Sequence, residues 1–263
     1  MNPPAPDPVL ASFPQPFTAL VAGANRGIGL AFVRHLVAGG QARRIWAGCR
    51  DPEAAGELAE LAAVAPAVRI LQLDVTDEQV LADAAREAGE EGSTVELLIN
   101  CAGFLHRPGG PQPERRLAEV RADWLQESFA VNAAGPLLLA KHFERLLPRR
   151  DRVVFASLSA RVGSIGDNRL GGWYAYRAAK AAQNMFIRTL SIELARRARG
   201  SICVALHPGT TDTGLSRPFQ AGVPEGKLFN TAFSAGRLLA VIDGLKRDDT
   251  GGFFAWNGER IPW

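Results

Sequence analysis

Residues 18–36 read Thr18-Ala-Leu-Val-Ala22-Gly23-Ala-Asn-Arg-Gly27-Ile-Gly29-Leu-Ala-Phe-Val-Arg-His-Leu36. A short apolar run passes directly into three glycines, and these into a second apolar run. The order is strand, turn, helix. Glycine lets the backbone turn tightly and approach a pyrophosphate, whose charge then lies against the free N–H groups and positive dipole end of the helix. Three glycines also serve ordinary turns. Here they open the first strand–helix–strand unit of the chain, which favours the phosphate-binding reading. The spacing is G-x-x-x-G-x-G and departs from the G-x-G-x-x-G fingerprint.

Outward from this turn, runs rich in Val, Ile and Leu recur with helical stretches between them. They are Thr18–Ala22, Arg44–Gly48, Val68–Leu73, Val95–Asn100, Arg152–Ala156, Ser201–Leu206 and Gly252–Trp256. Runs this continuous suit strands covered on both faces. The pattern predicts an α/β chain with a doubly wound Rossmann fold: a mostly parallel seven-stranded sheet with helices on both faces, in a single domain. Ala122–Leu147 and Ala175–Arg199 read as long amphipathic helices, and Asp51-Pro52-Glu53 as a helix cap followed by proline at the first helical position. Residues 1–17 carry six prolines in the first 16 positions and read as an irregular arm before a domain spanning 18–263.

Composition narrows the function classes. A chain of 263 residues with 47% hydrophobic and 22% charged residues is not a disordered or tail-like protein. The net charge of +3 is spread along the length, which argues against nucleic-acid binding. No window approaches the roughly 18 apolar residues of a membrane span. The arm has no basic start and no apolar stretch, so it does not read as a secretory signal. Cys49, Cys101 and Cys203 are odd in number and embedded in apolar runs, as buried thiols of a reducing compartment would be, and cytoplasm is the expected location. They make no metal-ligand spacing with the four histidines, so no metal is expected.

Together with Tyr176-Arg-Ala-Ala-Lys180, the glycine turn resembles the short-chain dehydrogenase/reductase family, over roughly residues 18 to 263. Asp74-Val75, Asn100-Cys-Ala-Gly103, Asn132 and Pro208-Gly209 fall in the family's order. LSARVGSIGDN, GGWYAYRAAK and HPGTTDTGLS are similar, more narrowly, to the branch of the C-factor signalling protein and the sniffer carbonyl reductases. The resemblance implies that Gly23, Asn25, Arg26, Gly27, Ile28 and Gly29 hold a dinucleotide. It implies that Asp74 and Val75 meet adenine, that Asn100, Ala102 and Gly103 line the ribose side, and that Pro208, Gly209, Thr210, Thr211 and Thr213 contact the nicotinamide end. Arg50, after the second strand, and Arg26 favour the 2′-phosphate of NADP(H), with NAD(H) also possible. Asp51 is the rival ribose ligand.

Carbonyl reduction needs a proton donor whose acidity is brought toward working pH. Tyr176 and Lys180 lie one helical turn apart if the helix starts near Tyr174. The resemblance makes Tyr176 the acid/base and Lys180 the group that lowers its pKa and holds the nicotinamide ribose. It also makes Asn132 the holder of a relay water. The family's serine, three places before a glycine, falls on Ala160; Ser159 is the chosen candidate, with Ser157 and Ser164 as alternatives. Asp167–Gly172 reads as an insertion over the pocket, which Phe104, Leu105, Trp173, Phe219 and residues 214–230 would close. The expected function is hydride transfer between NADP(H) and a small-molecule carbonyl or secondary alcohol, as a carbonyl reductase. The alternatives are an NADP(H)-binding sensor or signalling scaffold with weak or no catalysis, and an epimerase or dehydratase that retains its cofactor. The two long helices match those that pair in the family's homodimers and homotetramers.

Overall fold

The computed structural model describes residues 10–90, 94–107, 109–110 and 112–263. Strand β1 (Phe17–Ala22) passes through the glycine turn into α1 (Gly27–Gly39). The first half continues with β2 (Ala42–Cys49), α2 (Gly56–Val64), β3 (Val68–Gln72), α3 (Glu78–Glu90) and β4 (Leu97–Asn100). The second half contains α4 (Ala122–Phe129), α5 (Gly135–Phe143), β5 (Val153–Leu158), α6 (Tyr174–Arg197) and β6 (Ser201–His207). Short strands β7 (Thr210–Thr211) and β8 (Leu228–Phe229), helix α7 (Thr231–Gly244) and β9 (Phe253–Ala255) follow.

Seven strands form one sheet in the order β3-β2-β1-β4-β5-β6-β9, and every neighbouring pair is parallel. All seven apolar runs read from the sequence are strands of this sheet, with ends moved by up to two residues. The runs are continuously apolar because successive residues serve opposite faces. Ala19 and Val21 join Phe32 and Leu36 of α1 and Leu238 and Ile242 of α7 on one side. Leu20 and Ala22 join Leu81 of α3, Phe143 of α5 and Ile187 of α6 on the other. The strand order reverses between β1 and β4, where Ala22 pairs with Asn100, and a doubly wound sheet opens its binding crevice at that reversal. Among the described residues no helix is long and apolar enough to cross a membrane.

Two local expectations are corrected. Asp51 does not cap a helix: its Oδ1 accepts from Ala54 N at 3.2 Å and closes a single turn, and α2 starts only at Gly56. Ala55 is buried in the core with non-helical dihedrals, so packing of that residue overrides the cap signal. Ala122–Leu147 is not one regular α-helix. A π-turn over Ala130–Ala134 separates α4 from α5, and a 3-10 turn over Glu144–Leu146 ends the run.

Residues 1–9 of the proline-rich arm lie outside the described residues. From Leu10 onward the arm packs on the sheet's α7 side. Leu10 and Phe13 are buried, Ser12 N donates to Asp243 Oδ1 of α7 at 2.9 Å, and the Arg152 guanidinium lies 5.1 Å from the Phe13 ring centre.

Candidate active site

The glycine turn is built for close approach. Gly23 and Gly27 have φ of +77° and +59°, a region that L side chains rarely adopt. A Cβ on Gly23 would stand 2.9 Å from Ala102 N, and one on Gly29 only 2.0 Å from Gly23 O. Gly23 N and Ala24 N both donate to Gly48 O of β2, which pins the turn to the sheet. No side chain caps the start of α1, so the first-turn N–H groups keep their capacity to bind an anion. Arg26 and Arg50 are exposed, and neither pairs with a carboxylate among the described residues. The turn therefore fits a dinucleotide with further negative charge near the two arginines.

The segment after β6 folds back over this turn. Thr213 Cγ2 lies 3.5 Å from where a Cβ on Gly27 would stand, and Arg26 Nη1 3.4 Å from one on Gly214. Fold topology thus brings Asn25–Gly29 and Pro208–Thr213 together. Thr211 is turned elsewhere: its buried hydroxyl is 2.7 Å from Ser234 Oγ of α7. Asp74 Oδ1 accepts from Thr76 N and Oγ1 at 2.9 and 2.7 Å, which fixes the turn after β3. Val75 packs where a Cβ on Gly135 would collide with it, at 2.7 Å.

Helix α6 starts at Tyr174, so Tyr176 and Lys180 share one face, with Lys180 Nζ 5.7 Å from the Tyr176 ring centre. Lys180 is 3% exposed. Burial draws its pKa down to about 7, and it pushes the Tyr176 phenol above its ordinary value. Each group alone is therefore driven toward neutrality. Their proximity lets the ammonium favour the phenolate.

Asn132 sits in the π-turn and is fully buried. Its side chain accepts from Phe104 N at 2.9 Å and donates to Phe104 O at 2.7 Å, clamping the segment after β4. The residue four places on is Pro136, which has no N–H, so the Asn132 carbonyl lacks its ordinary helical donor. A π-turn at a functional position is a recurring device. Ser159 is turned toward α6: its hydroxyl donates to Asn184 Oδ1 at 2.7 Å. Ser157 likewise faces α6 and is held by Gln183. Ala160, next along the extended chain, carries no hydroxyl.

A chain of aromatic rings starts beside Tyr176. Trp173 stands 6.3 Å from Tyr176 and 5.0 Å from Phe219, and Phe219 stands 5.7 Å from His106. Phe219 belongs to a 3-10 segment, Arg217–Gly222, in the region expected to close the pocket. Leu105 is buried, and Phe104 packs on Trp124 at 4.7 Å. Trp173 reaches its position through three consecutive left-handed residues, Gly171, Gly172 and Trp173 itself, at φ of 63°, 65° and 52°. Arg177 holds the same loop by donating to the carbonyls of Gly171, Gly172 and Val162.

Glu114 is a buried carboxylate that sequence reading missed. Its Oε2 accepts from Ala175 N in the first turn of α6 at 3.2 Å, and its carbonyl accepts from Trp173 N. It substitutes for a cap on the helix that carries Tyr176. Glu114→Ala is expected to cost about 1–2 kcal/mol, the range for lost caps. Thermal unfolding checks this: the midpoint should fall by several degrees, and an unchanged midpoint would deny Glu114 that role. A signal for Glu114 was absent because the contact spans 61 residues. Gln183 did leave one: it falls on the buried face of α6 with Lys180, Ile187, Ser191 and Leu194, where an apolar residue would be expected.

A site of this kind belongs to α/β oxidoreductases that work with a bound dinucleotide. More narrowly, residues 17–223 match the family model described as short chain dehydrogenase, and the chain belongs to that family. The C-signal of Myxococcus xanthus is 36% identical over 64% of this chain and 93% of its own. The NADPH-bound carbonyl reductase from chicken fatty liver superposes with a TM-score of 0.83 at 33% identity, covering 95% of this chain and 99% of that one. The carbonyl reductase Sniffer of D. melanogaster gives 0.83 at 27% identity, over 95% and 100%. The similarity to the C-factor and sniffer branch is thereby shown, and the protein is by class an NAD(P)-dependent oxidoreductase.

Proposed function

We propose that this protein is an NADP(H)-dependent carbonyl reductase, with Tyr176 as the proton donor. The observation that carries the reading is the Tyr176–Lys180 pair on one face of α6, beside a cluster of aromatic rings. The nicotinamide supplies the hydride when bound. Gly23, Asn25, Gly27, Ile28 and Gly29 hold the pyrophosphate, and Arg26 and Arg50 take the 2′-phosphate. Asp74 and Val75 border the adenine, Asn100, Ala102 and Gly103 the ribose, and Pro208, Gly209, Thr210 and Thr213 the nicotinamide end. Thr211 braces that segment from behind through Ser234.

Tyr176 gives its proton to the developing alkoxide, and Lys180 favours the phenolate left behind. The carbonyl of Asn132, whose i+4 neighbour Pro136 has no N–H, is suited to hold the water that returns the proton. Ser159 supports the site from behind, because its hydroxyl already donates to Asn184. Trp173, Phe219 and His106 favour a medium-sized apolar ketone or aldehyde, an aromatic one above all. Three cysteines without disulfides agree with cytoplasm. A homodimer or homotetramer would cover the outer faces of α4 and α6, where Leu125, Phe129, Met185 and Ile192 are exposed.

The test is oxidation of NADPH, followed by absorbance, with a panel of aromatic and aliphatic aldehydes, ketones and quinones. Consumption with at least one carbonyl supports the reading; tight NADPH binding with no consumption across the panel would remove it. Cofactor choice is tested by the double variant Arg26→Ala/Arg50→Ala. Charge-assisted hydrogen bonds to phosphate contribute about 1–2 kcal/mol each, so the loss of two should raise the Kd for NADPH by about 30- to 1000-fold while that for NADH stays nearly constant. Equal loss for both would place the arginines elsewhere than on the 2′-phosphate.

A further inference from the structure

Lys180 is a buried ammonium with no carboxylate partner among the described residues. The titratable groups that face it are Tyr176 on its own helix and Cys101 from the segment after β4. Burial pushes the thiol of Cys101 up, so it is uncharged at neutral pH and offers no counter-charge. The ammonium is held instead by two neutral acceptors, Leu158 O and Gln183 Oε1, each at 2.8 Å.

Gln183 is itself fully buried and fixed at its other end. Its Nε2 donates to Ser157 Oγ at 2.7 Å and to Leu158 O at 3.2 Å, and Ser157 Oγ also accepts from Asn100 Nδ2 at 3.0 Å. The amide has one workable orientation, because an ammonium can only donate and must meet the carbonyl oxygen. A chain of hydrogen bonds thus runs from Asn100 at the end of β4, through Ser157 of β5, to Gln183 and Lys180 on α6. Two of the three ammonium protons are directed down into the protein by this chain. The third is left for whatever lies above, on the side of Gly103 and Tyr176.

We propose that Gln183 is a positioning residue for Lys180, holding the ammonium charged and aimed at the cofactor side through a buried relay anchored on Ser157. Without the amide, Lys180 keeps one neutral acceptor in an apolar setting, and its charged form is disfavoured further. With a carboxylate in the same place the charged form gains an ion pair. The two substitutions therefore act in opposite directions on the same group, which a merely structural role would not do.

The chain has four lysines, Lys141, Lys180, Lys227 and Lys246, so lysine-selective 13C labelling gives four side-chain signals. Lys180 is assigned by comparison with Lys180→Arg. In the NADPH-free wild type the Lys180 signal should titrate at about 7. Gln183→Leu should move that midpoint down by about one pH unit, the size expected for a hydrogen bond to a charged group. Gln183→Glu should move it up. Ser157→Ala, which removes the anchor of Gln183, should move it in the same direction as Gln183→Leu and less far. Midpoints that stay put in all three variants, or that move the same way in Gln183→Leu and Gln183→Glu, would overturn the proposal. If Gln183→Leu does not fold, Gln183→Glu and Ser157→Ala still give opposite signs or refute it.

The consequence for catalysis rests on the reductase reading, but the titration does not use turnover. A negative NADPH-oxidation screen would remove that reading and leave the Lys180 midpoints to decide this one. Where turnover is found, the alkaline fall of kcat/KM should follow the same order: Gln183→Leu below wild type and Gln183→Glu above.

Discussion

Tyr176→Phe is expected to lower kcat for carbonyl reduction by about 10³-fold, within the 10²–10⁴ range for a positioned general acid, and to leave the Kd for NADPH within about threefold. The substitution removes one oxygen from a ring whose packing against Trp173 and beneath Lys180 is otherwise kept. Binding groups in the glycine turn are far from that oxygen in the chain and belong to other elements. Loss of rate without loss of affinity is the signature of an interaction made only as the alkoxide develops. The pH profile gives a second check. Reduction needs the Tyr176 proton in place and the Lys180 charge beside it. Burial raises the phenol, so the donor stays protonated, whereas the Lys180 pKa is drawn down to about 7. The wild-type rate should therefore be level on the acid side and fall as pH rises through that value. Alcohol oxidation, which needs Tyr176 to accept a proton, should rise with pH instead. In Tyr176→Phe the residual reduction should lose this dependence. If the variant turned over like the wild type, the proton would have to come from another group, and the proposed role of Tyr176 would fall.

The contrast between what was legible and what was not follows from the range of the interactions. Strand β1 and the glycine turn are contiguous in the chain, and Tyr176 and Lys180 are four residues apart, so local geometry sufficed to read them. The seven strands were legible because burial on both faces leaves apolar runs with no alternation, as Leu20 and Val21 on opposite faces show. The π-turn at Asn132 was not, because the amphipathic pattern runs through it and only Pro136 hints that a carbonyl loses its donor. The start of α2 was misread because a local cap at Asp51 lost to the burial of Ala55. The orientation of Ser159 depends on Asn184, 25 residues away, and no local pattern encodes which way a serine turns at the end of a strand. Gln183 lies between these cases: its polarity on a buried face was visible, but its partners on β5 were not.

Gly29→Ala should be among the most damaging small substitutions at the described glycines. The added methyl carbon would stand 2.0 Å from Gly23 O, 2.8 Å from Gly23 C and 3.1 Å from the Ala24 Cα. All three are backbone atoms of the turn, so no side chain can swing aside. Either α1 must move off the turn or the turn must leave Gly48 O, which holds both Gly23 N and Ala24 N. Overpacking against a fixed backbone costs about 3 kcal/mol or more, which for a domain of this size lowers the melting midpoint by roughly 10 °C. NADPH binding should be lost as well, since the moved groups are the ones that face the pyrophosphate. Gly56→Ala is the control: a Cβ there meets nothing within 4 Å, the residue opens α2, and alanine should leave stability equal or raise it by about 0.5–1 kcal/mol. Calorimetry and NADPH titration on the two variants read both quantities. A Gly29→Ala protein that melts with the wild type and still binds NADPH would mean that the turn has slack, and that the tight approach of Gly29 to Gly23 is not what shapes the phosphate site.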